Sequence, residues 1–142
     1  MAVDIRPATI GDAEKLVPLF AQLGYPTGAS LIEARLRELD ANSSVLVAAR
    51  ESALLGFVGV AMQPDFIVGK CAIVLGLVVA DGARNRGIGA ELLRAAEAWA
   101  AQSGARTIVV RSNVIREDAH RFYEREGYRR LKSQHVYEKP LN

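Results

Sequence analysis

The fold of this chain is decided by the stretch Val79-Ala80-Asp81-Gly82-Ala83-Arg84-Asn85-Arg86-Gly87-Ile88-Gly89-Ala90. The run Ala72 to Val79 that leads into it is typical of a buried strand. From Gly87 to Ala101 the apolar residues have helical spacing, and Thr107 to Val110 is strand-like again. A strand, a helix and a second strand in this order predict a right-handed parallel crossover, whose first turn is suited to an anionic ligand.

The chemistry of this turn predicts a diphosphate site. Gly87 and Gly89 allow the backbone to approach a ligand closely, and the start of the helix adds partial positive charge. Arg84 and Arg86 match phosphate oxygens with charge-assisted hydrogen bonds. The alternative is a plain glycine-rich turn with solvated arginines, because short glycine motifs recur by chance.

Two other nucleotide-binding turns are excluded by the residues after Gly87. A dinucleotide-binding turn requires G-x-G-x-x-G, whereas Gly89 is followed here by Ala90, Glu91 and Leu92. A P-loop requires a Lys-Ser or Lys-Thr pair after its glycines, and this stretch has none.

Hydrophobic periodicity predicts the remaining elements around this unit. They are a strand at 3–8, helices at 9–23 and 30–40, strands at 45–49 and 54–62, a helix at 116–126 and a closing strand at 134–138. The complete order, β-α-α-β-β-β-α-β-α-β, predicts a mixed α/β fold in one domain, 1–142. We expect one mostly antiparallel sheet with helices on both faces.

Composition narrows the class of protein. The chain has 142 residues and a formal net charge of +2, too small and scattered for a nucleic-acid binder. The sequence contains no apolar run long enough to cross a bilayer and no secretory signal, so we expect a cytoplasmic protein without a membrane partner. Cys71 is the sole cysteine, and its apolar neighbours predict a half-buried strand thiol.

Around these residues the sequence resembles the GNAT family of N-acetyltransferases. Its diphosphate signature, (Arg/Gln)-x-x-Gly-x-(Gly/Ala), is matched by Arg84, Gly87 and Gly89. The segment 113–128 is similar to the family's later coenzyme-binding segment, in which an Asn, an Ala, a Phe-Tyr pair and Gly-(Phe/Tyr) recur. The two motifs stand in the family's order, and the resemblance extends from Ile5 to the last predicted strand.

The resemblance implies acetyl-coenzyme A as cosubstrate and no metal. In the family, the pantetheine arm lies between two splayed strands, here those ending at Val79 and Val110, and backbone N–H groups hold the diphosphate. The coenzyme-binding residues carried over are Leu77, Val78, Val79, Arg84, Asn85, Arg86, Gly87, Ile88, Gly89, Ala90, Asn113, Ala119 and Phe122. Asn113 is equally well read as a helix cap.

Tyr123 is the catalytic residue that the resemblance implies, as the general acid that protonates the leaving thiolate. Its helix pattern alone favours a packing aromatic beside Phe122. His120 is expected on the surface, because it points away from the Ala119, Phe122 and Tyr123 face, and His135 has no better claim to a role.

The general base is left open. Many family members carry a glutamate in the strand before the signature, but Leu75 or Gly76 stands there. Ordered water, a backbone carbonyl, Asp65 and Glu33 remain as alternatives.

The implied reaction is acetyl transfer to the primary amine of a small molecule, because residues 113–128 are particularly similar to aminoglycoside-type and aminoalkylphosphonate-type members. The first two helices and the Pro64 to Gly69 loop are expected to select the substrate. A protein N-terminus or lysine is the alternative acceptor, and a non-catalytic acetyl-coenzyme A sensor is the alternative function. We also expect a homodimer.

Overall fold

The structure is a computed structural model that describes residues 3–112 and 117–142, in two compact units, Met1–Arg111 and Ser112–Asn142. The first unit contains β1 (Asp4–Pro7), α1 (Ala13–Leu23), α2 (Ala29–Arg37), β2 (Ser43–Arg50), β3 (Ala53–Asp65), β4 (Gly69–Val79), α3 (Ile88–Gln102) and β5 (Thr107–Val110). The second unit contains α4 (Glu117–Arg125). The predicted strand–helix–strand unit is confirmed, and β5 has its predicted bounds.

The strands form one sheet in the order β1-β2-β3-β4-β5. Neighbours from β1 to β4 are antiparallel, as short connections favour, and β4 pairs with β5 in parallel. The parallel pair is joined through α3, which is the helical crossover that the sequence predicts.

Helices cover both faces of this sheet, as two neighbouring residues of β3 demonstrate. A Cβ placed on Gly56 would lie 3.1 Å from Leu92 of α3, whereas the ring of Phe57 stacks on Phe20 of α1 with centroids 5.3 Å apart. Because successive strand residues point to opposite faces, α1 and α3 lie on opposite sides. The α1 side also holds Ile32 of α2, which is 1 % exposed.

The entry into α1 is fixed by an ion pair at the end of β1. Asp12 ends a short 3-10 turn, Ile10–Asp12, and is 5 % exposed. Arg6 donates to both carboxylate oxygens, at 2.8 and 3.0 Å, and the backbone N–H of Thr9 donates to Oδ2 at 2.7 Å. These donors stabilise the ionised form and lower the pKa of Asp12 to about 2.

β3 and β4 form a long hairpin whose tip is apolar and exposed. Phe66, Ile67 and Val68 at the turn are all large and solvent-exposed. Asp65 stabilises the turn, because its Oδ1 accepts the N–H groups of Ile67 at 2.6 Å and Val68 at 3.0 Å.

The closing strand predicted at 134–138 is wrong, since the structure assigns no strand between residues 128 and 142. A strand requires a neighbour for its backbone hydrogen bonds, and within residues 117–142 the only regular element described is α4. The adjacent residues Val136 and Tyr137 are exposed, as are Leu131 and Leu141. Across the two described ranges, every helix is too short or too polar to cross a membrane.

We expect the Asp12 carboxylate to make stability acid-sensitive. Because folding lowers its pKa from 3.8 to about 2, the unfolded chain binds more protons between these values, and stability falls as the pH drops from about 4 to 2. Arg6 is about one-third exposed, which limits the contribution at neutral pH to the order of 1–2 kcal/mol.

The measurement is urea unfolding between pH 7 and pH 2. Asp12→Asn should lose this stability at pH 7 and flatten the acid limb, whereas Glu14→Gln, at an exposed acid on the same helix, should do neither. An unchanged acid limb in Asp12→Asn would contradict the assignment.

Candidate functional site

The candidate site begins where β4 separates from β5. The parallel pairing covers only Cys71–Val74 of β4 against Thr107–Val110. Leu75 has no partner in β3, because the register passes from Val60 opposite Val74 to Gly59 opposite Gly76. A bulge of this kind bends the strand and changes its twist. Within the unit Met1–Arg111, no strand continues beside β4 after Val74.

The remainder of β4 therefore has an open backbone edge. Ala80 N donates to Leu55 O at 2.8 Å, which places Ala80 in a hydrogen-bonded position facing β3. Strand alternation then directs the N–H and C=O groups of Val79 and Leu77 away from β3. Val78 differs, because its carbonyl lies 2.6 Å from a Cβ placed on Gly56 of β3 and its side chain is in the core. Leu77 and Val79, rather than Val78, thus present backbone groups at this edge.

The open edge continues into the glycine-rich turn. A 3-10 turn, Asp81–Ala83, follows the strand, and Arg84 is extended. Asn85 has φ 64° and Gly87 has φ 79°, so left-handed residues occur at alternate positions. This geometry turns successive N–H groups toward one side and forms a concavity suited to anions.

The turn ends at the uncapped start of α3. Gly87 is the N-cap and has no side chain to cap the helix, and the first intrahelical bond runs from Glu91 N to Gly87 O at 3.1 Å. The N–H groups of Ile88, Gly89 and Ala90 precede that bond and have no acceptor within the helix. Ile88 is buried, which fixes the position of these donors.

Charge at the turn is carried by Arg84 and Arg86, both exposed. Nη2 of Arg84 lies 3.1 Å from Oδ1 of Asp81, and both side chains are more than half exposed. An exposed ion pair of this kind contributes only about 0–1 kcal/mol. Arg84 can therefore exchange Asp81 for another anion at little energetic cost.

One residue at this site has no signal in the sequence. Gln22, in the last turn of α1, donates from Nε2 to Val79 O at 2.7 Å and accepts Asp81 N–H at 3.2 Å through Oε1. Its partners are 57 and 59 residues away along the chain, and periodicity identifies Gln22 only as a polar position on an amphipathic helix.

The second unit carries the predicted Phe-Tyr pair on α4. The rings of Phe122 and Tyr123 meet edge-to-face with centroids 5.2 Å apart, and Tyr128 approaches Tyr123 at 5.8 Å. Ala119, Phe122 and Tyr123 are all partly buried, as expected for one helix face. Asn113 lies outside the described residues.

The strand before the turn has no carboxylate at the open edge. Leu75 is 65 % exposed at the bulge, and a Cβ on Gly76 would lie 3.3 Å from Leu23 of α1. Asp65 is opposite Gly69, six residues before Leu75, and is therefore roughly 20 Å away along the strand. This distance excludes Asp65 as a direct base at the open edge.

The structure also describes the surroundings of the other residues that the sequence analysis considered. Glu33 pairs with Arg37 at 2.8 Å on the exposed side of α2. His120 is partly buried rather than exposed, and His135 is exposed beside Tyr137. Cys71 is buried, as expected for a strand thiol. In the described part of the chain, no cluster of three or more His, Cys, Asp or Glu side chains is arranged to hold a metal ion.

An apolar cleft lies between α1, α2 and the sheet, with Arg35 among its lining residues. Phe20, Ile32 and Phe57 form much of its wall. Its volume of about 80 Å³ is well below the roughly 300 Å³ at which ligand pockets usually begin. The cleft is a packing feature of the core, separate from the open edge of β4.

An open strand edge that leads through a left-handed turn into an uncapped helix offers a series of main-chain hydrogen-bonding groups, which is suited to an anionic ligand. The Acetyltransferase (GNAT) family profile matches residues 14–128, so the chain belongs to this family. The resemblance in the sequence is thereby confirmed, and the chain is an acyltransferase of the N-acetyltransferase class.

Individual relatives agree with this assignment. The aminoalkylphosphonate N-acetyltransferase of Salmonella typhimurium is 33% identical over 135 residues, which cover 89% of this chain and 84% of the relative. A solved structure described as a transcriptional regulator from Bacillus halodurans C-125 has 28% identity and a TM-score of 0.86, covering 97% of this chain and 100% of that one.

A third comparison, with another solved structure, supports the same fold. The structure of AAC(6')-Iy in complex with a bisubstrate analogue has a TM-score of 0.88 at 18% identity, and the match covers 99% of this chain and 100% of that one. The expected mixed α/β GNAT-like fold is therefore confirmed.

Proposed function

We propose that this chain transfers the acetyl group of acetyl-coenzyme A to the primary amine of a small molecule, as a single acetyltransferase domain over residues 1–142. The observation that carries the proposal is the continuous main-chain surface from the open edge of β4 to the start of α3. Its donors are spaced along the strand edge and the turn, which suits a ligand with an amide-bearing arm and a diphosphate.

In this proposal each part of the surface binds a different part of the coenzyme. Leu77 and Val79 pair with the pantetheine amides, and Val78 anchors the strand between them. The N–H groups from Asn85 to Ala90 hold the diphosphate, with Arg84 and Arg86 adding charge. Asn113, Ala119 and Phe122 are assigned to the coenzyme side by family resemblance.

The reaction needs no covalent enzyme intermediate. The neutral amine attacks the thioester carbonyl carbon, the C–S bond breaks, and the sulfur takes a proton from the Tyr123 phenol. The amine proton is lost to solvent by way of ordered water, a backbone carbonyl or Glu33, since Asp65 lies too far along the hairpin, and a proton from solvent restores the Tyr123 phenol. Donors at the site stabilise the oxyanion that forms during attack.

A small-molecule acceptor is supported by the Salmonella typhimurium relative, whose name specifies an aminoalkylphosphonate. Acetyl transfer to a protein N-terminus or lysine is the alternative. The Bacillus halodurans structure described as a transcriptional regulator favours a second candidate, an acetyl-coenzyme A-binding regulatory module. The single thiol, Cys71, suits the reducing cytoplasm that we propose as the location.

Thiol release from acetyl-coenzyme A across a panel of amines separates these functions. We expect turnover with small amines, aminoalkylphosphonates and aminoglycosides included, and none with peptide N-termini or lysine peptides. Binding of acetyl-coenzyme A without turnover of any amine would favour the regulatory module.

Two glycine substitutions at opposite ends of α3 test the diphosphate assignment. Gly87 and Gly104 both have positive φ, 79° and 95°, so alanine at either should cost roughly 1–2 kcal/mol of stability. Only Gly87→Ala places a Cβ in the proposed site, and we expect it to weaken acetyl-coenzyme A binding by about tenfold or more. Calorimetry of both variants measures this difference, and equal affinities would overturn the assignment.

Tyr123→Phe removes only the hydroxyl that we assign to protonating the thiolate. Packing against Phe122 and Tyr128 should survive, so coenzyme affinity should barely change. General acid catalysis is typically worth about a hundredfold or more, and kcat should fall by at least that factor when chemistry limits the rate. Tyr137→Phe, at an exposed tyrosine, is the control and should keep full kcat. A Tyr123→Phe enzyme with undiminished kcat would make the residue a packing aromatic.

We propose a homodimer in which a second copy covers the exposed tail, because residues 128–142 carry the exposed apolar side chains of Leu131, Val136, Tyr137 and Leu141 and have no partner strand within their own unit. Light scattering should give a mass near twice 15.4 kDa, and Val136→Asp should lower it toward the monomer. A monomer mass at all concentrations of the unmodified chain would contradict this proposal.

A further inference from the structure

Gln22 joins the first helix of the protein to the end of its ligand-facing strand. The side chain is partly buried in the last turn of α1, and both ends of its amide are used. Nε2 donates to the carbonyl of Val79, and Oε1 accepts the N–H of Asp81, at 2.7 and 3.2 Å. Two bonds to positions two residues apart fix the side chain and the backbone segment relative to each other.

The first of these bonds changes what Val79 offers to a ligand. Val79 presents both its N–H and its C=O away from β3, where no strand continues within its unit. Because Gln22 already donates to one of the two lone pairs of this carbonyl, the N–H is the group of Val79 that is left wholly to a bound molecule. We therefore expect a hydrogen-bond acceptor of the ligand opposite the Val79 N–H, whereas Leu77 presents a donor and an acceptor.

The second bond fixes the direction of the chain after the strand. Asp81 opens the 3-10 turn that leads to Arg84, and its N-cap, Ala80, has no side chain able to bond the first N–H. Gln22 supplies the acceptor from α1 instead. The residue before Asp81 is held from the other side, because Ala80 N donates to Leu55 O of β3.

We propose that Gln22 is a positioning residue that selects for an acceptor, such as the carbonyl of a pantetheine amide, at Val79. The inference rests on the proposed binding of coenzyme A along β4. It assigns to α1 a role in holding the end of β4, in addition to its contribution to the core.

The test compares two ligands by calorimetry: coenzyme A, and its phosphoadenosine diphosphate half, which lacks the pantetheine arm. Gln22→Met keeps the length of the side chain and removes both hydrogen bonds. We expect it to weaken coenzyme A by about five- to tenfold, the effect of roughly one hydrogen bond, and to weaken the truncated ligand, which meets only the turn that Asp81 opens, by a smaller factor. The ratio of the two dissociation constants is the readout, because a general loss of stability does not change it.

Gln22→Lys is the rescue variant. Its ammonium donates to Val79 O but cannot accept Asp81 N–H, and its charge acts on the diphosphate of both ligands alike. The ratio should therefore return toward that of the unmodified protein. Gln102→Met, at an exposed glutamine that ends α3, is the matched control and should leave both affinities unchanged.

The outcomes separate this inference from the proposed function. If the unmodified protein fails to bind coenzyme A, the proposed function fails and the role of Gln22 fails with it. If the unmodified protein binds, but Gln22→Met weakens both ligands equally or weakens neither, the proposed function stands and the selection at Val79 is overturned. The selection at Val79 would also be overturned if the ratio of the two dissociation constants were as high for Gln22→Lys as for Gln22→Met.

Discussion

The unpaired backbone edge of β4 is the constraint on which the rest of this structure depends. Buried N–H and C=O groups need partners, so a strand that loses its neighbour must be solvated or must bind something. Here the loss is local, because the bulge at Leu75 begins where the pairing with β5 ends. From Cys71 to Val74 the strand pairs on both sides, and beyond Val74 its pairing within the unit Met1–Arg111 is with β3, with Gln22 of α1 bonding its last residue. The same strand thus combines a rigid half with the edge that we propose for the coenzyme.

The sequence predicts this part of the fold well because the signals are local. The apolar spacing of α3, the buried run of β5 and the glycines of the turn are each readable within a few residues. The family signature adds the coenzyme, which the Gly-x-Gly of Gly87 and Gly89 does not specify by itself. The bounds of β5 agree, and those of α3 differ by one residue at each end.

The errors and omissions come from interactions between distant residues. The residues at 134–138 predict a closing strand, but strand formation depends on a partner that a single segment cannot report. The assignment of Val78 to the coenzyme with Leu77 and Val79 stays a prediction, and the register that turns its backbone toward β3 depends on another strand. The sequence does not reveal the role of Gln22 for the same reason, because its two hydrogen-bond partners lie outside α1. Asp65 is a plausible base by residue type, and only the hairpin geometry shows its distance from Leu75.

The ion pair between Arg84 and Asp81 has a consequence for how anions approach the turn. The Asp81 carboxylate offsets one of the two arginine charges at the turn. A phosphate that Arg84 binds must therefore replace this carboxylate as its counter-ion. Long-range steering is correspondingly modest, and at about 0.1 M salt it is screened within roughly 10 Å. For the coenzyme that we propose, we therefore expect discrimination at contact range, where backbone N–H groups meet oxygen atoms directly.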